Sequence, residues 1–147
     1  LRDKLDVSIE NDAKIIIARA AIKSDDLRTA EEFYTEVERN AVGELKAEAL
    51  YYSAFFKNQK NEFEESNKIV QQVIADYSSY KYWGVKSYVI MAKNYYGLKD
   101  VYQATYVLEN IIKNFKQFND IILEAESELS KIKEKEAKTN NSVTPKN

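Results

Sequence analysis

Apolar residues recur along this chain with the spacing of one face of an α-helix. From Phe63, apolar or small residues follow at offsets of 3, 7, 10, 11 and 14, and the same offsets recur from Val101. They recur a third time from Leu27, with the polar Glu38 as the one exception. Because an α-helix turns once in about 3.6 residues, these offsets fall on one stripe. The pattern predicts three amphipathic helices that bury equivalent faces.

A further helix is predicted ahead of each of these three. Ala18, Ala54 and Ala92 each lie 12 residues before the small residue at offset 3 of the following stripe. Small residues at matched positions in two successive helices let the helices approach closely as an antiparallel hairpin. The sequence therefore predicts three helical hairpins, over about residues 11–42, 44–78 and 80–116.

The starts of the amphipathic helices carry capping signals. An acidic residue stands directly before each stripe, where it favours the positive end of the helix dipole: Asp26, Glu62 and Asp100. We expect Asn61 and Glu64 to form a capping box at the second stripe. For the first stripe we expect Ser24 to act as the cap.

The pattern changes after Phe115. A shorter stripe of Ile122, Ala125, Leu129 and Ile132 predicts a last helix over residues 120–137. Its other side is charged, as expected for a helix that covers the open end of a hairpin array. Residues 138–147 lack apolar periodicity, so we predict a helical domain over 1–137 and a disordered tail over 138–147.

The composition narrows the available chemistry. The 147 residues include no cysteine, no histidine, three glycines and one proline, and the formal net charge is −2. Without cysteine or histidine the chain forms no disulfide and offers no thiolate or imidazole for metal binding or nucleophilic catalysis. The small net charge gives no strong attraction to nucleic acid, so we expect no nucleic-acid partner. The scarcity of glycine and proline favours helix throughout the body.

Membrane insertion is not expected either. The longest apolar stretch, residues 15–22, is interrupted by Arg19 and is much shorter than the roughly 20 residues that cross a bilayer. The chain begins with Leu1 and not with methionine, and we expect it to be a segment of a longer protein.

Acidic and hydroxyl side chains remain as candidates for catalysis. Adjacent carboxylates such as Glu64 and Glu65 point about 100° apart on a helix, so they do not converge. No motif supplies a base to the hydroxyl residues Ser53, Ser66, Ser87 and Thr105. We therefore expect no enzymatic activity, no cofactor and no metal; an enzyme would require an active site outside this chain.

The repeated hairpin resembles the tetratricopeptide repeat, a family with small residues at two helix-contact positions. In the third hairpin the matching residues are Ala92, Tyr95, Ala104, Leu108 and Ile111. Alanine stands where the family has glycine, and Lys57 replaces the usual tyrosine in the second copy. The resemblance covers about residues 11–115. It implies an all-α fold, a right-handed α-solenoid of three hairpins with residues 120–137 as the capping helix.

The resemblance also implies where a partner would bind. In tetratricopeptide proteins the first helix of each hairpin lines a concave groove that holds a peptide or a helix. Residues that flank Ala18, Ala54 and Ala92, with two more a turn further on, are the candidates for that groove: Ile15, Arg19, Tyr51, Phe55, Asn58, Tyr88, Lys93 and Tyr96. The implied function is a non-catalytic scaffold for a protein or peptide partner. The alternative is a structural spacer or self-association segment of a longer repeat protein.

A second resemblance concerns cellular location. Residues 75–96 are similar in style to repeats of bacterial cell-envelope proteins, namely outer-membrane assembly lipoproteins and Tol-Pal-associated periplasmic proteins. This resemblance implies the periplasm or the periphery of the outer membrane. The lack of cysteine is equally compatible with the cytoplasm.

Overall fold

The computed structural model describes residues 2–143, and this part of the chain is all-helical. Within it there are seven helices and no strand. The helices are α1 (Arg2–Lys23), α2 (Leu27–Asn40), α3 (Gly43–Gln59), α4 (Phe63–Asp76), α5 (Lys81–Gly97), α6 (Val101–Asn114) and α7 (Asn119–Val143). The all-α class predicted from the sequence is confirmed.

The helices pack mainly against their neighbours in the chain. Each one contacts the next, and in addition α3 contacts α5 and α5 contacts α7. Short turns join α1 to α2, α3 to α4 and α5 to α6, so the chain forms three helix pairs followed by α7. The odd-numbered helices α3, α5 and α7 thus form a row, and α4 and α6 pack along it.

The predicted stripes form the core of the helix pairs. The matched alanines Ala18, Ala54 and Ala92 are completely buried, and so are the small residues 12 positions later. The larger stripe residues of α2, α4 and α6 are also almost wholly buried: Tyr34, Val37, Val70, Val73, Leu108 and Ile111. Burial of an aliphatic side chain stabilises a fold by about 1.5–3 kcal/mol. The repeated pattern therefore marks the residues that hold each pair together.

The three turns within the helix pairs share one backbone conformation. Each has a single residue in the left-handed region, with φ of 59°, 61° and 69° at Asp25, Asn61 and Lys99. The amide of the next residue then donates to the carbonyl oxygen five residues earlier, at 2.8–3.0 Å in all three turns. This arrangement is the Schellman ending of a helix. The acidic residue that follows the left-handed residue is the N-cap of the next helix.

Asp26 and Asp100 cap their helices through their side chains, whereas Glu62 stands at the N-cap position of α4 without a side-chain cap bond and pairs with Lys57 instead. The carboxylates of Asp26 and Asp100 accept hydrogen bonds from backbone amides in the first turn of α2 and α6, at 3.2 and 3.1 Å. Asn61 adopts the left-handed conformation of the turn, so it does not cap α4 with Glu64. The hydroxyl of Ser24 donates back into α1 and does not cap α2.

The last helix is longer than predicted. It starts at Asn119 and continues to Val143, through residues 138–143 that the sequence analysis assigned to a disordered tail. Ile121, Ala125 and Ile132 are buried against the preceding helices, and Leu129 is partly buried. Lysine and glutamate are good helix formers, so the helix extends past its last apolar contact. Residues 144–147 of the predicted tail lie outside the described part of the chain.

Candidate binding surface

Two of the predicted groove residues belong to the core. Ile15 is 5% exposed and Tyr51 is 3% exposed. Ile15 packs in a cluster with Ala18 and Tyr34, and Tyr51 packs in another with Ile90. The expectation that these two side chains line an open groove is not met, because α3 is buried on more than one side.

Tyr88 lies on a different face from the one predicted. Ile15 and Tyr51 precede the buried alanine of their helix by three residues, whereas Tyr88 precedes Ala92 by four. The position in register is Val89, which is fully buried. Tyr88 instead borders a cavity of about 450 Å³ formed mainly by α6 and the residue after it. Its placement in the groove was a register error.

The five remaining candidates stay at least partly exposed at matched positions. Arg19, Phe55 and Lys93 each directly follow the buried alanine of α1, α3 or α5. Asn58 and Tyr96 lie one turn further along α3 and α5. We refer to these five residues as the exposed row. Each of its four polar side chains bonds or pairs with a residue of another helix.

Arg19 is held by a buried carboxylate. Its Nε donates to Oε1 of Glu48 at 2.8 Å, and Nη2 donates to Oε2 at 2.6 Å. The side chain of Glu48 is only 5% exposed, whereas that of Arg19 is 53% exposed. The hydroxyl of Tyr34 donates a further bond to Glu48, at 2.9 Å. The hydrogen bonds to Glu48 raise the pKa of the Arg19 guanidinium above its usual range, and burial raises the pKa of Tyr34.

Lys93 and Tyr96 connect α5 to α7. The Lys93 ammonium lies 3.5 Å from a carboxylate oxygen of Glu124 and 3.7 Å from one of Glu128. The hydroxyl of Tyr96 donates to Glu136 at 3.0 Å. The Lys93 side chain is only partly exposed, and these two contacts hold its ammonium against α7. The last helix therefore fixes the polar end of the exposed row.

Asn58 belongs to a hydrogen-bonded network between α3, α4 and α5. Its amide donates to the side-chain oxygen of Asn94 at 2.8 Å. The Asn94 amide in turn donates to Ser66 and to Asn67, both at 2.8 Å, and the Ser66 hydroxyl donates to the carbonyl of Ala54 at 2.7 Å. Asn94 and Ser66 are completely buried. Buried amides that are fully paired fix the relative position of the helices they join.

Phe55 lies at the edge of an aromatic cluster. Its ring makes edge contacts with Tyr52 and Phe56, at centroid distances of 6.0 and 5.4 Å. Tyr52 stacks on Tyr34 at 4.2 Å and contacts Trp83 of α5 at 6.3 Å. The cluster joins residues of all three helix pairs, and Phe55 at its edge is partly exposed.

Sequence reasoning missed the two residues that organise this surface. Glu48 stands alone among apolar residues in "AEALYY" of α3, and a lone acid in such a run is the signal of a paired, buried carboxylate. Asn94 carries no comparable signal, because its neighbours in the sequence are polar or aromatic. Its burial is set by the packing of α5 against both α3 and α4.

Comparison with known proteins identified no matching family model, no similar curated protein and no similar solved structure.

Residues 2–143 contain neither a cluster of metal ligands nor a helix suited to span a membrane. Acidic side chains do not gather anywhere in this range into a group that would hold a metal ion. None of its helices combines the length and the apolarity required to cross a bilayer.

Proposed function

We propose that this chain is a non-catalytic protein-interaction module. In this proposal its helix pairs stack as tetratricopeptide-like repeats in a right-handed solenoid, and the exposed row lies in the concave face. The observation that supports it is the repeat position of Arg19, Phe55 and Lys93. Three successive odd-numbered helices present a partly exposed side chain directly after a completely buried alanine. A ligand that lies across the helices would meet one such side chain from each helix.

The spacing of the helices suits an extended peptide. Packed helices lie about 8–10 Å apart, and an extended chain rises about 3.3 Å per residue. Helices α3 and α5, which pack against each other, would therefore meet peptide residues about three apart. Phe55 and Lys93 would contact ligand positions about three residues apart, with an apolar side chain opposite Phe55, and Arg19 on α1 would contact a position further along.

Charge favours a neutral acceptor at Arg19. Glu48 takes the Nε and Nη2 hydrogens, and no residue of the described chain accepts from Nη1. The guanidinium is already neutralised by Glu48, so a peptide carbonyl suits its free edge better than a second carboxylate. Because the pair is held rigidly, little side-chain entropy is lost when the ligand binds.

Site-specific photo-crosslinking tests this proposal. A photoreactive phenylalanine analogue would replace Phe55, and the modified chain would be incubated with lysate of the source organism. We expect a discrete crosslinked protein, and we expect Lys93→Gln to reduce its yield while helicity is retained. The matched control places the analogue at Tyr102, which is largely exposed on α6 and stacks only on its neighbour Tyr106. Equal crosslinking from both positions would contradict a binding site on the exposed row.

Self-association is a second candidate function, favoured by a specific feature of α1. Residues 2–10 are all exposed, and α1 carries exposed aliphatic side chains along one side at Leu5, Ile9 and Ile16. The outer side of α7, by contrast, is largely charged. A second copy would cover the aliphatic side of α1 by pairing it with its own α1. Light scattering at increasing concentration should then show a dimer that Ile9→Lys with Ile16→Lys converts to a monomer; a monomer at all concentrations would exclude it.

A further inference from the structure

The loop between the first two helix pairs is shorter than the later loops and lacks their aromatic residues, and a cavity lies beside it. The loops after α4 and α6 each contain four residues, 77–80 and 115–118, and each carries two aromatic residues three positions apart. The loop after α2 has two residues, Ala41 and Val42, and no aromatic one. Beside this short loop lies a cavity of about 580 Å³, bordered by the start of α1.

In the later helix pairs the loop aromatics cover the start of the odd-numbered helix. The hydroxyl of Tyr80 lies 3.1 Å from the place that a β-carbon on Gly43 would occupy at the start of α3. The ring of Phe118 contacts the ring of Tyr82 near the start of α5, at a centroid distance of 5.7 Å. Both loops also share a hydrogen bond from the second aromatic residue to the carbonyl of the first, at 3.0 Å.

The cavity lies at the start of α1, at the position where loop aromatics cover α3 and α5. The repeat positions of Gly43 and Tyr82 are taken in α1 by Val7 and Ser8, and both residues line the cavity. The first loop aromatic, Tyr77 or Phe115, has Ala41 as its counterpart, which also lines the cavity. The first helix pair thus lacks the aromatic side chains that cover this surface in the other two.

Asn11 gives the cavity a polar side chain that no described residue engages. It is only 8% exposed and lines the cavity, and no described residue donates to or accepts from its side-chain amide. The other two pairs place Ala47 and Val85 at this position, and both are buried. The Asn11 amide is therefore free to bond to a ligand hydroxyl within reach, and such a hydrogen bond contributes about 0.5–1.5 kcal/mol.

We propose that this cavity binds a partner segment that carries two aromatic residues three positions apart, with a tyrosine hydroxyl bonded to Asn11. The occupant would reproduce in trans the contact that residues 77–80 and 115–118 make within the chain. The cavity volume falls within the range of about 300–1,000 Å³ typical of ligand pockets. The lining of the site does not include Leu5, Ile9 or Ile16, and the site does not depend on the exposed row.

The chain itself supplies the probe. A capped synthetic peptide with the sequence of residues 75–82, "ADYSSYKY", would be titrated into the intact protein and binding measured by calorimetry. We expect saturable binding, and none for a peptide in which alanine replaces the tyrosines at 77 and 80. A peptide with phenylalanine at these two positions should bind about fivefold more weakly, since one hydrogen bond is lost.

Two variants locate the peptide. Ala41→Tyr restores the aromatic residue found at this position in the other loops, and it should abolish binding and raise the melting temperature. Val7→Trp fills the cavity with a large side chain from α1, and it replaces Ala41→Tyr as the test if that variant does not fold. Leu98→Tyr adds the same side chain in an exposed turn at the other end of the helices, and it should leave binding unchanged. Binding that persists in both cavity variants would overturn the proposal.

A third variant tests the role of Asn11. Asn11→Val introduces the residue found at Val85, so it should fold and should remove the preference for the tyrosine peptide over the phenylalanine peptide. Equal weakening of both peptides would overturn the assigned hydrogen bond. A dimer that forms without peptide and is lost in Ala41→Tyr would show that a second copy occupies the cavity, which would overturn a peptide partner.

Discussion

The buried carboxylate of Glu48 predicts an unequal cost for removing the two partners of one ion pair. Glu48 is almost fully enclosed and Arg19 is about half exposed. Arg19→Met leaves the carboxylate buried with only the Tyr34 hydroxyl as a partner. Glu48→Gln leaves a guanidinium that water can solvate. The first substitution should therefore destabilise the protein more than the second.

The expected magnitudes are well separated. Loss of one partner that leaves a buried charge behind costs about 3–5 kcal/mol, and the remaining bond from Tyr34 points to about 3 kcal/mol for Arg19→Met. Glu48→Gln keeps the shape of the side chain and loses charge-assisted bonding, at about 1 kcal/mol. In a chain of this size 1 kcal/mol shifts the melting temperature by about 2–4 °C, so we expect decreases of about 6–12 °C and 2–4 °C.

The assay is thermal and urea unfolding followed by far-UV circular dichroism, with the two single variants and the double variant Arg19→Met with Glu48→Leu. The double variant removes both charges and leaves only the Tyr34 hydroxyl without its acceptor. It should be more stable than Arg19→Met alone. Helical content before unfolding serves as the control that each variant folds.

One result would refute the reasoning. If Arg19→Met costs no more than Glu48→Gln, the carboxylate is not desolvated in the folded protein. The preorganised guanidinium invoked for ligand binding would then lose its structural basis. A double variant less stable than Arg19→Met would likewise show that the pair contributes net stability beyond compensating a buried charge.

Three further predictions concern packing and pH. A β-carbon at Gly97 would overlap the ring of Phe63, so Gly97→Ala should lower the free energy of unfolding by about 1–3 kcal/mol. Gly84 has open space around it, so Gly84→Ala should raise that free energy by about 0.4–1 kcal/mol. Equal effects of the two substitutions in denaturant unfolding would contradict this. Ser87 is fully buried and its hydroxyl has no partner in the described chain. Ser87→Ala should therefore raise the free energy of unfolding by about 1 kcal/mol. A lower free energy of unfolding would show that the hydroxyl is satisfied. Burial raises the pKa of Tyr34, Tyr51, Tyr52 and Tyr82 above 10.0, so the folded state keeps protons that the unfolded state loses, and the contribution of these tyrosines to stability should be constant below about pH 10 and fall as pH rises further. Tyrosinate absorbance that rises well before helicity is lost would contradict this.

The helices and the core were predictable because they follow from periodicity. The offsets from Leu27, Phe63 and Val101 identified the buried faces of α2, α4 and α6. The helix that extends past residue 137 was not predicted, since apolar periodicity ends before the helix does. Glutamate and lysine sustain a helix without burying any of it, so a stripe marks only the part of a helix that packs.

The candidate surface was less predictable, since burial on the odd-numbered helices is not confined to one face. Ile15 and Tyr51 sit at positions equivalent to the completely buried Val89. Their apolar character fits both a groove wall and a core, and the sequence does not distinguish the two. Helix α3 contacts three other helices and α5 contacts four, and these contacts decide which of their side chains remain exposed.

The repeat is most informative where its copies differ. Equivalent positions in the three pairs carry small residues and the same turn conformation, as close packing of the paired helices requires. Asn11 in place of Ala47 and Val85, and a two-residue loop in place of two aromatic four-residue loops, change the first pair without any gain in packing. Both changes fall on one cavity, and each enlarges it or makes it more polar. Residues are expected to depart from good packing at a binding site while the rest of the fold is kept. The start of α1 is therefore a better-supported ligand site than the centre of the exposed row.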